Sequence, residues 1–69
     1  MIDLPTDALL VPPEEAARML RVSRTTMFGL LRDGEVESVL VGRSRRVPVA
    51  ALREYVERLR SQQRPAEVV

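Results

Sequence analysis

The strongest constraint on this chain is a pair of short amphipathic segments separated by only three residues, Arg21 to Ser23. Pro13 suits a first helical position, where its missing N–H has no intrahelical partner to lose. Glu14 and Glu15 follow it and place negative charge at the positive end of the helix dipole. Ala16, Met19 and Leu20 recur at i, i+3 and i+4, so one face is apolar, and Ala17 is small enough to admit a second helix close by. Ser23 is a good N-cap, its hydroxyl able to accept a backbone N–H of the following turn. A second helix therefore runs from about Arg24 to Arg32, with Met27, Leu30 and Leu31 inward and Asp33-Gly34 as its stop, glycine taking the left-handed position after the last turn.

Val39 and Val41 alternate with Ser38 and Leu40, Gly42-Arg43-Ser44-Arg45 breaks the run, and Val47 and Val49 alternate with Arg46 and Pro48. This period of two predicts a β-hairpin. Pro48 cannot donate to a ladder, so its strand lies at an edge or ends there. A third helix is predicted over 50–60, with Leu52, Tyr55, Val56 and Leu59 inward, Arg53, Glu54, Glu57 and Arg58 outward, and Glu54 to Arg58 as an i,i+4 pair. Leu9-Leu10-Val11 reads as a short strand or an apolar brace. The expected fold is mainly α with a small β-hairpin: a winged helix-turn-helix of three helices and a two-stranded wing over residues 10–60, with a loose leader at 1–9 and a flexible tail at 61–69.

Sixty-nine residues support one domain with a thin stability margin. No cysteine or histidine is present, so disulfides and the usual metal sites are excluded, and nothing calls for a cofactor or small-molecule ligand. The N-terminus has no positively charged region before an apolar run, and no stretch approaches the roughly 18 apolar residues of a membrane span, so a cytoplasmic protein without membrane contact is expected. The net charge of +1 hides a lopsided distribution. All eleven basic residues are arginines from Arg18 onward, against only six acids in the same stretch, so residues 16–69 carry +5. An acidic start ahead of a basic body fits a nucleic-acid binder.

The outward face of the second helix carries Arg24, Thr25, Phe28, Gly29 and Arg32. Arginine can grip a guanine edge bidentately or clamp a phosphate, and threonine offers a hydroxyl to phosphate or a methyl to thymine. Gly29 either lets the helix approach a duplex closely or serves packing within the protein; Phe28 either packs or touches base and sugar. Arg43, Arg45 and Arg46 crowd the hairpin tip, and like charges so placed call for an anion such as a phosphate backbone, or form a solubilising face.

The segments EEAARMLRVSRTTMFGLLRDGEV, VLVGRSRRVPVAAL and EYVERL resemble the excisionase-type helix-turn-helix family, relatives of the MerR-like winged helix, over roughly Leu10 to Leu59. The resemblance implies a recognition helix in the major groove of double-stranded DNA, with Ser23, Arg24, Thr25, Thr26, Phe28 and Arg32 as contacts. It likewise implies a wing reaching the backbone or adjacent minor groove through Arg43, Ser44, Arg45 and Arg46. The chain departs from the family pattern at Pro12 for a capping Ser or Thr, Arg21 for a turn glycine, Gly29 for a basic residue, and Leu40, which can meet a neighbouring protomer.

On this reading the chain is an excisionase that binds repeated sites, self-associates side by side and bends DNA for a partner integrase. A small MerR-like or BldC-like transcriptional regulator uses the same surface. A third possibility is an antitoxin-like interaction module using Leu9 to Val11 and Val68-Val69. Enzyme activity is disfavoured, because the carboxylates occupy helix starts and solvated faces without a convergent pocket.

Overall fold

The computed structural model describes residues 8–63, so most of the expected leader at 1–9 and tail at 61–69 lies outside the described residues. Six elements follow in order: β1 (Leu10–Val11), α1 (Pro13–Leu20), α2 (Arg24–Arg32), β2 (Val39–Val41), β3 (Ser44–Pro48) and α3 (Val49–Gln62). The three helices and the hairpin are as expected, but the sheet has three strands, in the order β1-β3-β2. β1 pairs antiparallel with the end of β3, Leu10 opposite Pro48 and Val11 opposite Val47, while β2 pairs with its beginning, Val39 opposite Arg46 to Val41 opposite Ser44. β3 thus changes partner halfway. Pro48 is tolerated because β2 does not extend that far, so no ladder bond from its nitrogen is missing on that side. The leucine-rich stretch before α1 is therefore a strand, and the Val49 N–H donates to the Leu9 carbonyl at 2.9 Å.

α1 starts without a side-chain cap. Extended Pro12 offers its carbonyl to the N–H groups of Glu15 and Ala16, both at 3.0 Å, which closes the first turn in place of the missing hydroxyl. α1 and α2 end alike, yet with different residues. After α2, Gly34 at φ 77° lets Glu35 N–H reach the Leu30 carbonyl at 2.9 Å. After α1, Arg21 takes the same left-handed region at φ 62°, and Val22 N–H reaches the Ala17 carbonyl at 3.0 Å. Both are Schellman closures, in which the left-handed residue turns the chain and a backbone donor satisfies an otherwise orphaned carbonyl.

Every element except β2 contributes to the core: Val11, Ala16, Ala17, Met27, Val47, Ala51 and Leu52, joined by Val36 from the loop after α2. Met27, Val36 and Val47 are the largest wholly buried side chains. Val36, which belongs to no periodic run, escaped the sequence reading. Met19 goes the other way and is half-exposed rather than part of the inward stripe. The buried arc of α1 runs through Pro13, Ala16 and Ala17, and a two-turn helix carries Met19 to its margin. There it lines an apolar groove with Leu20, Val49, Leu52 and Val56.

α3 begins at Val49 and ends at Gln62, one residue earlier and two later than predicted. The expected Glu54–Arg58 pair is absent among the described ion pairs. Arg58 instead donates to the Glu35 carbonyl and lies over the Tyr55 ring at 5.8 Å, because a backbone acceptor in the loop after α2 is within its reach. This latch ties α3 to the loop that holds Val36.

A non-glycine residue in the left-handed region costs about 1–2 kcal/mol. Arg21→Gly is therefore expected to stabilise the domain by about 1 kcal/mol, after allowing for the greater freedom of glycine in the unfolded chain. A denaturant titration showing no gain would mean that the Arg21 side chain contributes an offsetting contact.

Candidate nucleic-acid interface

α2 owes its register to Ser23. The Ser23 hydroxyl accepts the Thr26 N–H at 3.1 Å and donates to Thr26 Oγ1 at 3.0 Å, so these two residues form the cap that fixes where the helix begins. Met27 then points wholly inward, with Leu30 and Leu31 partly buried against the same core. Arg24, Thr25, Thr26, Phe28 and Arg32 remain exposed. Arg24, Phe28 and Arg32 stand one turn apart and form a single ridge along the helix.

The arginines of that ridge are partnered. The Arg24 guanidinium lies over the Phe28 ring at 5.6 Å and pairs with Glu14 of α1 at 3.5 Å. Arg32 pairs with the adjacent Asp33 at 3.1 Å. These exposed pairs orient side chains more than they stabilise the fold.

The wing turns through Gly42 and Arg43, with Val41 directly opposite Ser44. Gly42 has φ 64° at the first central position, the geometry that type II′ hairpins assign to glycine. Only Arg43 sits at the tip. Arg45 and Arg46 lie within β3, and adjacent strand residues face opposite sides of a sheet. The expectation of three arginines crowded at one tip is therefore corrected by the period of the strand: Arg45 shares a face with buried Val47, and Arg46 takes the other. Arg45 donates to the Ser38 hydroxyl at 2.6 Å, and Arg46 donates to the Arg45 carbonyl at 3.0 Å.

On its own face Arg45 looks across a cleft towards α2. Phe28, Leu31, Arg32 and Arg45 line one cleft of about 420 Å³ between helix and wing, so that two arginines and two apolar side chains border the same space. Of the ten predicted site residues, the structure gathers Phe28, Arg32 and Arg45 here. It sets Arg24 at the far end of the ridge, Thr25 beside it, Arg43 at the tip and Ser44 at the start of β3. Ser23 and Thr26 are engaged in the cap, and Arg46 faces away. Leu31, Ser38 and Glu14 were missed as members of this surface. Leu31 reads from its spacing as core, and the contacts of Ser38 and Glu14 cross between elements, where no sequence period carries a signal.

Comparison with known proteins agrees with this architecture. A family model described as a helix-turn-helix domain matches residues 12–60, from the start of α1 almost to the end of α3. An excisionase of Streptomyces ambofaciens is 36% identical over 52 residues, which is 75% of this chain and 82% of that protein. The chain belongs to the excisionase-type helix-turn-helix family. A protein of Saccharopolyspora erythraea named as a probable excisionase is 46% identical to this helix-turn-helix chain over 58 residues, covering 84% of it and 59% of the relative. A candidate antitoxin of Mycobacterium tuberculosis, VapB50, is 43% identical over 58 residues, covering 84% of the chain and 45% of that protein. The chain thus spans about half the length of these last two relatives. No solved structure gives a significant match.

Gly29 lies on the exposed side of α2 with room to spare. A Cβ built there would meet only Arg32 Nη2 among atoms outside its own helix backbone, at 3.8 Å, an ordinary contact. Internal packing therefore does not require glycine. Gly29→Ala is expected to gain about 1 kcal/mol of helix propensity, raising the melting temperature by about 4–8 °C for a domain of this size. A calorimetric scan with no rise would place a steric demand at this position.

Proposed function

We propose that this chain is a non-enzymatic, cytoplasmic protein that binds double-stranded DNA, with α2 in the major groove and the β2–β3 wing on the neighbouring backbone. The observation that carries this reading is the cleft in which Arg45 of the wing faces Phe28, Leu31 and Arg32 of α2. Two cations and two apolar side chains around one cleft suit a sugar-phosphate strand, which offers an anion and an apolar sugar edge together. Arg24 and Thr25 would read base edges, and Arg43, Ser44 and Arg46 would take backbone contacts beyond the cleft.

The relatives named as excisionases support a role in excisive recombination. In that role the chain binds repeated sites, lines up side by side with further copies and bends the duplex so that an integrase can act. An architectural protein of this kind needs no effector site and no catalytic group. The exposed Leu40 and Val41 on the outer strand are available to a neighbouring copy. No helix among the described residues is long and apolar enough to cross a membrane.

A second reading, an antitoxin, draws on the similarity to VapB50 and on the exposed Leu9 and Leu10; Val11, expected on the same surface, is buried in the core instead, and Val68-Val69 lie outside the described residues. A bent duplex in a circular-permutation gel, with footprints at repeated sites beside an integrase-bound core, favours the excisionase. Tight capture of a toxin partner that survives removal of the wing arginines favours the antitoxin.

About four to five arginine–phosphate contacts per protomer imply a slope near −4 in log K against log salt. Fluorescence anisotropy with a labelled duplex should find this slope, and a salt-independent affinity would sink the DNA reading. Arg45→Ala should weaken binding to all sequences and flatten the slope by about one, whereas Arg46→Ala, on the opposite face, should have a smaller effect.

A further inference from the structure

Arg24 occupies an unusual place. It opens α2, where the helix dipole is positive and a cation is disfavoured. Two neighbours offset this. Glu14 Oε2, from the first turn of α1, lies 3.5 Å from Arg24 Nη2, and the Phe28 ring lies one turn further on with its centroid 5.6 Å from the guanidinium carbon. Glu15 beside it is committed to Arg18 at 3.1 Å, and Arg24 is the ion-pair partner of Glu14 among the described residues. The side chain best placed to read a base is thus drawn back between a carboxylate and an aromatic face.

We propose that Glu14 is a specificity-determining residue, acting on DNA through Arg24; this rests on the DNA-binding reading above. The guanidinium offers a planar fork of five N–H donors, and its best partners are groups that accept two parallel bonds, such as the O6/N7 edge of guanine. Glu14 lies beside one nitrogen of that fork as an ion-pair partner at 3.5 Å. At a matching site Arg24 exchanges the single Glu14 contact for two to a base edge. On unmatched DNA it has only phosphate to gain, and a phosphate drawn to Arg24 also approaches the Glu14 carboxylate, which repels it. Glu14 therefore penalises phosphate-only binding more than base-specific binding. Discrimination improves through a repulsive element rather than an added attraction.

The test uses Glu14→Gln, which keeps the shape of the side chain and removes its charge. The probes are a duplex enriched from a random library by the wild-type chain and a scrambled duplex of the same composition. Because an exposed ion pair is worth up to about fivefold in an equilibrium, affinity for the scrambled duplex is expected to rise about three- to fivefold, while the enriched duplex changes less than about twofold. In an Arg24→Ala background the same substitution should leave the ratio between duplexes unchanged. An equal rise on both duplexes, an unchanged ratio in the single variant, or an undiminished effect without Arg24 overturns the proposal. A melting curve matching wild type separates these outcomes from loss of fold. If the wild-type chain enriches no sequence at all, the DNA-binding reading falls and this inference with it; enrichment with an unmoved ratio removes Glu14 alone.

Discussion

One long side chain set among small ones holds this fold together. Met27 is wholly buried in a core otherwise made of valines, alanines and a single leucine. Ala16 and Ala17 on α1 and Ala51 on α3 leave the space, and an unbranched thioether with three rotatable bonds fills it. Because Met27 lies in the middle of α2, this packing also decides which face of α2 remains outside. The ridge of Arg24, Phe28 and Arg32 is exposed because Met27 is not.

Small cores have little margin, and here the helix ends share the burden. Two Schellman closures turn the chain sharply after α1 and α2, and each directs the next residues back towards the core. The second leads to Val36, whose burial, with the Arg58 latch to Glu35, holds the loop after α2 against the core and α3. The first uses arginine where glycine is the relaxed choice, a local conflict set against an otherwise consistent pattern of caps and periods.

Charge is organised around the same frame. Sheet pairing brings Arg45 to the side of α2, and helix packing brings Glu14 to Arg24. A basic surface results in which several guanidinium groups are already oriented by weak local partners. Such partners can be exchanged for phosphate or base at small cost, since exposed ion pairs are worth little in water. The family relationship and this geometry point the same way.

Much was legible in the sequence because it is local physics. Proline at the first helical position, the Ser23 cap, the Gly34 stop and the period-two run around Gly42 each act within a few residues, and they place the three helices and the hairpin. The inward set of α2 and the exposure of Arg24, Phe28, Arg32 and Arg43 follow from the same periods. What the tertiary structure decided depends on groups far apart in the chain. The strand at Leu10 exists because β3 offers an unpaired end, Val36 is core because a loop folds under it, and Met19 is exposed because α1 turns its alanines inward. The arginines of the wing divide between two faces and only Arg45 joins α2, since strand pleat and sheet position, rather than residue type, determine what a side chain meets.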